Sequence, residues 1–154
     1  MSMWPVAELV PHAGDMILLD QVHRYGDDDI ETSLTVRDGG LFSQDDGSLP
    51  AWVGIEIMAQ SVAAYAGCHA RARGEPVELG FLLGTRNYQC NVERFPLGAE
   101  LHIHATRSLQ DDNGMGVFEC QLTGTGIEAI ARLNVFRPPQ VASYLQEEIQ
   151  DTQR

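Results

Sequence analysis

Leu49-Pro50-Ala51-Trp52-Val53-Gly54-Ile55-Glu56-Ile57-Met58-Ala59-Gln60 sets a single carboxylate in the opening of a long apolar run. Ser48 suits a helix N-cap, and Pro50 suits the first turn, where its missing N–H does no harm. The pattern predicts a helix running to about residue 73. Gly74 and Pro76 stop it, and Arg71 and Arg73 favour its negative end. Small and apolar residues fill almost the whole circumference up to Cys68, so other structure must wrap this helix. Around Glu56, the residues Trp52, Val53, Ala59 and Gln60 offer no charged, solvated face. A carboxyl buried in apolar surroundings is raised in pKa and can give up a proton near neutral pH, as a general acid must. The plainer reading turns Glu56 out of the helix into solvent.

On either side of the helix the chain reads as strands. Residues 16–25 are apolar and follow a Gly14-Asp15 turn. Gly26-Asp27-Asp28-Asp29 is a solvated turn. Residues 30–37 then alternate, with Ile30, Thr32, Leu34 and Val36 on one face. Strand-like runs follow the helix at 77–90, 99–109, 117–123 and 128–136, and Pro138-Pro139 ends the sheet. One domain over 1–138 is expected. A tail over 139–154 carries Val141, Tyr144, Leu145 and Ile149 at helical spacing. Strands interrupted by one apolar helix argue an α+β domain rather than βαβ units.

Composition excludes several roles. The formal charge is −12 and all ten basic residues are Arg. Such a chain is a poor non-specific binder of nucleic acid and has no basic amphipathic segment for a membrane surface. No apolar run reaches transmembrane length, and no secretory signal is legible at the N-terminus. Cys68, Cys90 and Cys120 are odd in number and widely spaced, which points to free thiols and the cytoplasm. His102 and His104 share a strand face but lack further ligands at metal spacing, so no metal and no cofactor is expected. There is no nucleophile elbow, P-loop or dinucleotide fingerprint.

Three stretches together resemble the hotdog-fold 3-hydroxyacyl-[acyl-carrier-protein] dehydratases: Pro11-His12 followed by residues 16–22; residues 50–60 with their acid and Met-Ala-Gln; and Gly80-Phe81-Leu82-Leu83-Gly84 leading to Pro96-Leu97-Gly98. The likeness spans about residues 9–136. The short opening and the helix motif look most like the dehydratases of aryl-polyene biosynthesis. The resemblance implies a hotdog fold, one long central helix wrapped by a curved antiparallel sheet.

It also implies a site. The family's acid falls on Glu56 and its supporting amide on Gln60, one helical turn apart and therefore on one face. The N–H near Ala51, at the positive end of the helix, falls where the family binds the thioester carbonyl. Trp52 and Gly84 fall beside the substrate. The family's catalytic His belongs in the loop before the helix, but residues 42–46 contain none. His12 is the candidate base in its place, because an imidazole abstracts protons well at cellular pH. The implied reaction is loss of water from a 3-hydroxyacyl thioester, carried on acyl carrier protein or coenzyme A, to give the trans-2-enoyl thioester. The implied assembly is a homodimer or dimer of dimers in which His12 and Glu56 meet across the interface. Arg71, Arg73, Arg86 and Arg94 are the candidate contacts for an acidic carrier. Two other readings use the same fold: a thioesterase with Glu56 as base or nucleophile, and a non-catalytic acyl-binding partner subunit.

Overall fold

In the computed structural model, which describes residues 4–11, 14–77 and 80–136, the long apolar run is one helix, α1 (Val53–Ala72). At 1.5 Å per residue it is about 30 Å long. Gly74, at φ 71°, ends it in the left-handed conformation that favours glycine.

Two strands precede the helix in the main sheet, β1 (Gln21–Tyr25) and β2 (Asp29–Thr35). A two-residue strand, β3 (Leu49–Pro50), stands immediately before it. After it come β4 (Phe81–Cys90), β5 (Arg94–Phe95), β6 (Glu100–Gln110), β7 (Met115–Gly124) and β8 (Ile127–Phe136). Six strands form one antiparallel sheet in the order β1-β2-β6-β7-β8-β4, and β3 pairs separately with β5.

The sheet alternates as a sheet with one buried face should. Ile30, Thr32 and Leu34 of β2, Leu101, Ile103 and Ala105 of β6, and Phe118, Cys120 and Leu122 of β7 all point inward. They meet Val53, Ile57, Met58, Ala64 and Cys68 of α1 in a continuous core. A hydrogen bond crosses this interface: Thr32 Oγ1 and Ser61 Oγ lie 2.9 Å apart, and Ser61 also donates to the Ile57 carbonyl at 3.0 Å. The opening segment crosses the helix at Gly67, where a Cβ would collide with the Leu9 carbonyl. The sheet is curved around the helix, as the hotdog fold requires.

Two local expectations fail. The first strand starts at Gln21, not Met16, because residues 14–16 form a 3-10 turn. The Leu18 N–H is then taken by a side chain, and so is the Met16 carbonyl. Ser48 does not cap α1, because its hydroxyl donates to Gln44 and Asp46, and Pro50 belongs to β3. The N-cap is Trp52, without a side-chain cap. The expected boundary at 138 and the helical tail over 139–154 lie outside the described residues. Among the described residues no helix is long and apolar enough to cross a membrane.

Candidate active site

Glu56 stands in the first turn of α1, and the helical period separates it from Ile57 and Met58, which are wholly buried in the core. Glu56 itself is only half-buried, so the expectation of a carboxylate sunk among apolar side chains is corrected. Its face of the helix borders a cavity of about 550 Å³ between α1 and the sheet.

Gln60 lies one turn on and is fully buried. Its amide is used on both sides. Nε2 donates to the Met16 carbonyl at 2.6 Å and to Glu56 Oε1 at 3.3 Å, and Oε1 accepts the Leu18 N–H at 2.8 Å. A buried amide is tolerated when it is satisfied in this way. Gln60 therefore orients Glu56 and ties it to the chain that follows His12. His12 lies outside the described residues. Its neighbour Pro11 lines the same cavity as Glu56.

The start of the helix differs from expectation. The Ala51 N–H donates to the Glu93 carbonyl at 3.0 Å, extending the β3–β5 ladder, and is therefore occupied. The Ala51 carbonyl accepts the Tyr88 hydroxyl and, at 3.0 Å, the Gly54 N–H. A Cβ at Gly54 would collide with that hydroxyl, which accounts for the glycine. The N–H groups of Trp52 and Val53 have no hydrogen-bond acceptor among the described residues. The first-turn N–H groups left without an acceptor are thus those of Trp52 and Val53, not that of Ala51.

Trp52 is exposed, and its ring meets Phe42 edge-on with centroids 5.8 Å apart. Gly84 lies in β4 opposite Asn134. Ala51, Trp52 and Gly84 are not among the residues that line the cavity. The loop where the family keeps its His is closed on itself. Gln44 N–H donates to the Ser48 carbonyl at 2.8 Å, and Arg94 holds Asp46 at 3.0 Å. Hydrogen bonds from Ser48, with help from Arg94, hold the Asp46 carboxyl down at about 2.

The other residues that the sequence singled out lie as follows. Among the described residues no group of His, Cys, Asp or Glu is arranged to hold a metal. His102 is exposed, His104 pairs with Asp29 at 2.9 Å, and His23 lies 2.7 Å from Ser33 Oγ. Cys68 is core packing, with burial pushing its thiol up to about 11. Three of these arginines are spread along the helix within one copy of the chain. Arg94 lies on β5 near the start of α1, whereas Arg71 and Arg73, paired with Glu8 and Glu75, lie about 30 Å away at its other end.

Sequence reasoning missed the far part of the cavity. Ala59, Ala63 and Ala66 share the face of Glu56, and Gly116 and Phe118 stand on the sheet side. The signal present was the spacing of those alanines, three and four residues apart on from Glu56.

Comparison with known proteins agrees with this architecture. Comparison with curated sequences gave no match. Among solved structures, a chain of the dehydratase heterocomplex ApeI:P from Xenorhabdus doucetiae is 34% identical, with a TM-score of 0.84 over 99% of this chain and 100% of that one. A hypothetical thioesterase with coenzyme A from Streptococcus pneumoniae (12% identity, TM-score 0.58, 75% of this chain and 83% of that one) shares the fold. So does the E. coli PaaI protein from the phenylacetic acid degradation operon (11%, 0.56, 76% and 82%). The sequence profile of the ApeP-like family, described as ApeP dehydratase, matches residues 4–146. The chain therefore belongs to the ApeP-like dehydratases, a lyase family built on the hotdog fold.

Proposed function

We propose that the protein removes water from a 3-hydroxyacyl thioester and leaves the trans-2-enoyl thioester, with Glu56 as the general acid. The supporting observation is a carboxylate on a cavity wall, held by a buried amide and bordered by Pro11. His12 takes a proton from the carbon beside the thioester carbonyl. Charge developing on the carbonyl oxygen is met by an N–H of the first helical turn, at Trp52 or Val53. The C–O bond at carbon 3 breaks as Glu56 gives its proton to the leaving hydroxyl, and the pair of electrons left at carbon 2 closes the double bond. The proton on His12 is returned to Glu56 through water. Each acid or base of this kind contributes about 10²- to 10⁴-fold.

The acyl group arrives on acyl carrier protein or coenzyme A, and the reaction runs in the cytoplasm as part of this proposal. The test separates it from a thioesterase. The protein is incubated with a 3-hydroxyacyl thioester and with a plain acyl thioester. The dehydratase gives enoyl absorbance from the first and no free thiol from the second. Free thiol without enoyl product contradicts it.

A second reading concerns the assembly. The solved relative is described as a heterocomplex, and here residues 42–46 hold no His. A different hotdog subunit, in place of a second copy, then pairs with this chain and supplies the base. Light scattering of the purified chain, alone and mixed with a candidate partner, distinguishes a homodimer from that pairing.

A further inference from the structure

The edge strand β4 is bulged between Arg86 and Gln89. Arg86 pairs with Arg132 of β8 and Gln89 with Ile130, so β4 carries one residue more than its partner over this stretch. Within the bulge Asn87 takes φ 57°, the one non-glycine residue at positive φ among the described residues, in a conformation that asparagine tolerates. Arg86, Gln89, Arg132 and Ile130 all face outward. In a regular strand residue 88 would share the outward face of Arg86. The bulge turns Tyr88 inward instead, against the core and onto the start of α1. Bulges re-aim side chains in this way and are over-represented beside active sites.

Tyr88 reaches one particular peptide. Its hydroxyl donates to the Ala51 carbonyl, which also accepts the Gly54 N–H at 3.0 Å. Burial, with Cys90 nearby, pushes the phenol above its ordinary value, so it remains a donor at neutral pH. The Ala51 carbonyl and the Trp52 N–H are the two ends of one planar trans peptide. Fixing the oxygen therefore fixes the N–H, which points the opposite way. Each hydrogen bond accepted at the oxygen also polarises the amide and strengthens its N–H as a donor. Val53 is wholly buried whereas Trp52 is exposed, so of the two N–H groups without an acceptor among the described residues, that of Trp52 is the one a ligand can reach. Trp52 and Glu56 are four residues apart and share a face, with about 6 Å of helical rise between them. Helical side chains lean towards the N-terminus, which carries the Glu56 carboxyl back towards that N–H.

We infer that Tyr88 is a positioning residue: through the Ala51 carbonyl its hydroxyl aims and polarises the Trp52 N–H, and that N–H is the donor that meets the thioester oxygen. This rests on the dehydratase function proposed above. The hydroxyl touches neither the substrate nor the reacting atoms, so its removal leaves binding intact and lowers the rate.

The test is Tyr88→Phe, which keeps the ring and removes the hydroxyl. With 3-hydroxydecanoyl pantetheine, kcat falls about tenfold and KM stays within about twofold, a smaller loss than the 10²- to 10³-fold that follows removal of a whole oxyanion donor. Infrared difference spectra of decanoyl pantetheine, isotope-labelled at the carbonyl carbon and bound to Glu56→Gln, read the donor itself. The carbonyl stretch lies below that of the free thioester, and adding Tyr88→Phe returns it part of the way. Gly54→Ala is the second variant, because its Cβ would collide with the Tyr88 hydroxyl and displace it. It moves the stretch in the same direction, and the two substitutions together add little to either alone. A wild-type rate in Tyr88→Phe, a change in KM alone, a rate loss with an unmoved stretch, or full additivity overturns the inference. If wild type removes no water, the dehydratase function fails by itself. The stretch of the bound decanoyl thioester then decides for or against Tyr88, and a thioester that does not bind decides against it.

Discussion

The two long faces of α1 solve different problems. One face carries Ile57, Met58, Ala64 and Cys68, none with measurable exposure, and fills the core against β2, β6 and β7. The other carries Glu56, Ala59, Ala63 and Ala66 and leaves a cavity open against the same sheet. Both faces are poor in charge, so apolar composition alone does not tell a packed face from a binding face. Side-chain volume opposite each residue does. Where the sheet sends in Leu101, Ile103 and Leu122 the helix is sealed. Where it presents Gly116 the helix is left uncovered. Gln60 joins the two, fully buried yet bonded to Glu56.

The contrast is broken most severely at the carboxylate. Glu56→Gln keeps the size of the side chain and removes its transferable proton. Dehydration falls by about 10²- to 10⁴-fold while the unfolding midpoint stays within the range of a surface change. Enoyl formation and denaturant melts on the same samples check both halves. Gln60→Leu is expected to damage both faces, because the Met16 carbonyl and the Leu18 N–H lose their partner. It costs about 1–3 kcal/mol in urea unfolding for a buried polar group left unpaired, with activity reduced as well. A paired experiment sharpens the contrast further. Ala64→Leu overpacks the sealed face and costs about 1–3 kcal/mol. Ala63→Leu, its immediate neighbour, enters the cavity and shifts stability by less than about 0.5 kcal/mol. Equal losses at the two positions mean that the open face is not open.

A further small effect lies outside the helix and serves as a control. Asp29 is held down at about 2 by Arg24 and His104, against an ordinary 3.8. A depressed carboxyl stabilises the fold above its ordinary pKa and loses that contribution as the pH falls. Stability therefore declines between pH 3.8 and about 2, where the unfolded chain binds the proton first. The carboxyl is close to solvent, so the effect stays under about 1 kcal/mol. Asp29→Asn flattens that part of the acid-unfolding curve and leaves enoyl formation unchanged at neutral pH.

What was legible in the chain follows from the range of each interaction. The helix, its stop at Gly74 and the alternating strands are local patterns, and the end of α1 at Ala72 and the start of β2 at Asp29 each fall within one residue of the reading. Glu56 and Gln60 were legible as one face because they lie a turn apart. The start of the helix was misread because its partner is distant in sequence. Leu49 and Pro50 pair with Phe95 and Arg94, which diverts Pro50 from the helix and occupies the Ala51 N–H. Residues 16–18 looked like strand because nothing nearby signals that Gln60 takes their backbone groups. The cavity was illegible for a like reason, since small residues at 63 and 116 mean nothing until the fold sets them on one void.

The most direct measurement is a crystal structure of Glu56→Gln with a 3-hydroxydecanoyl pantetheine bound. The account predicts the 3-hydroxyl within hydrogen-bonding distance of the side chain at position 56, the thioester carbonyl at the first turn of α1, and the chain lying over Ala59 and Ala63. A hydroxyl held elsewhere, or a chain that leaves the cavity empty, contradicts it.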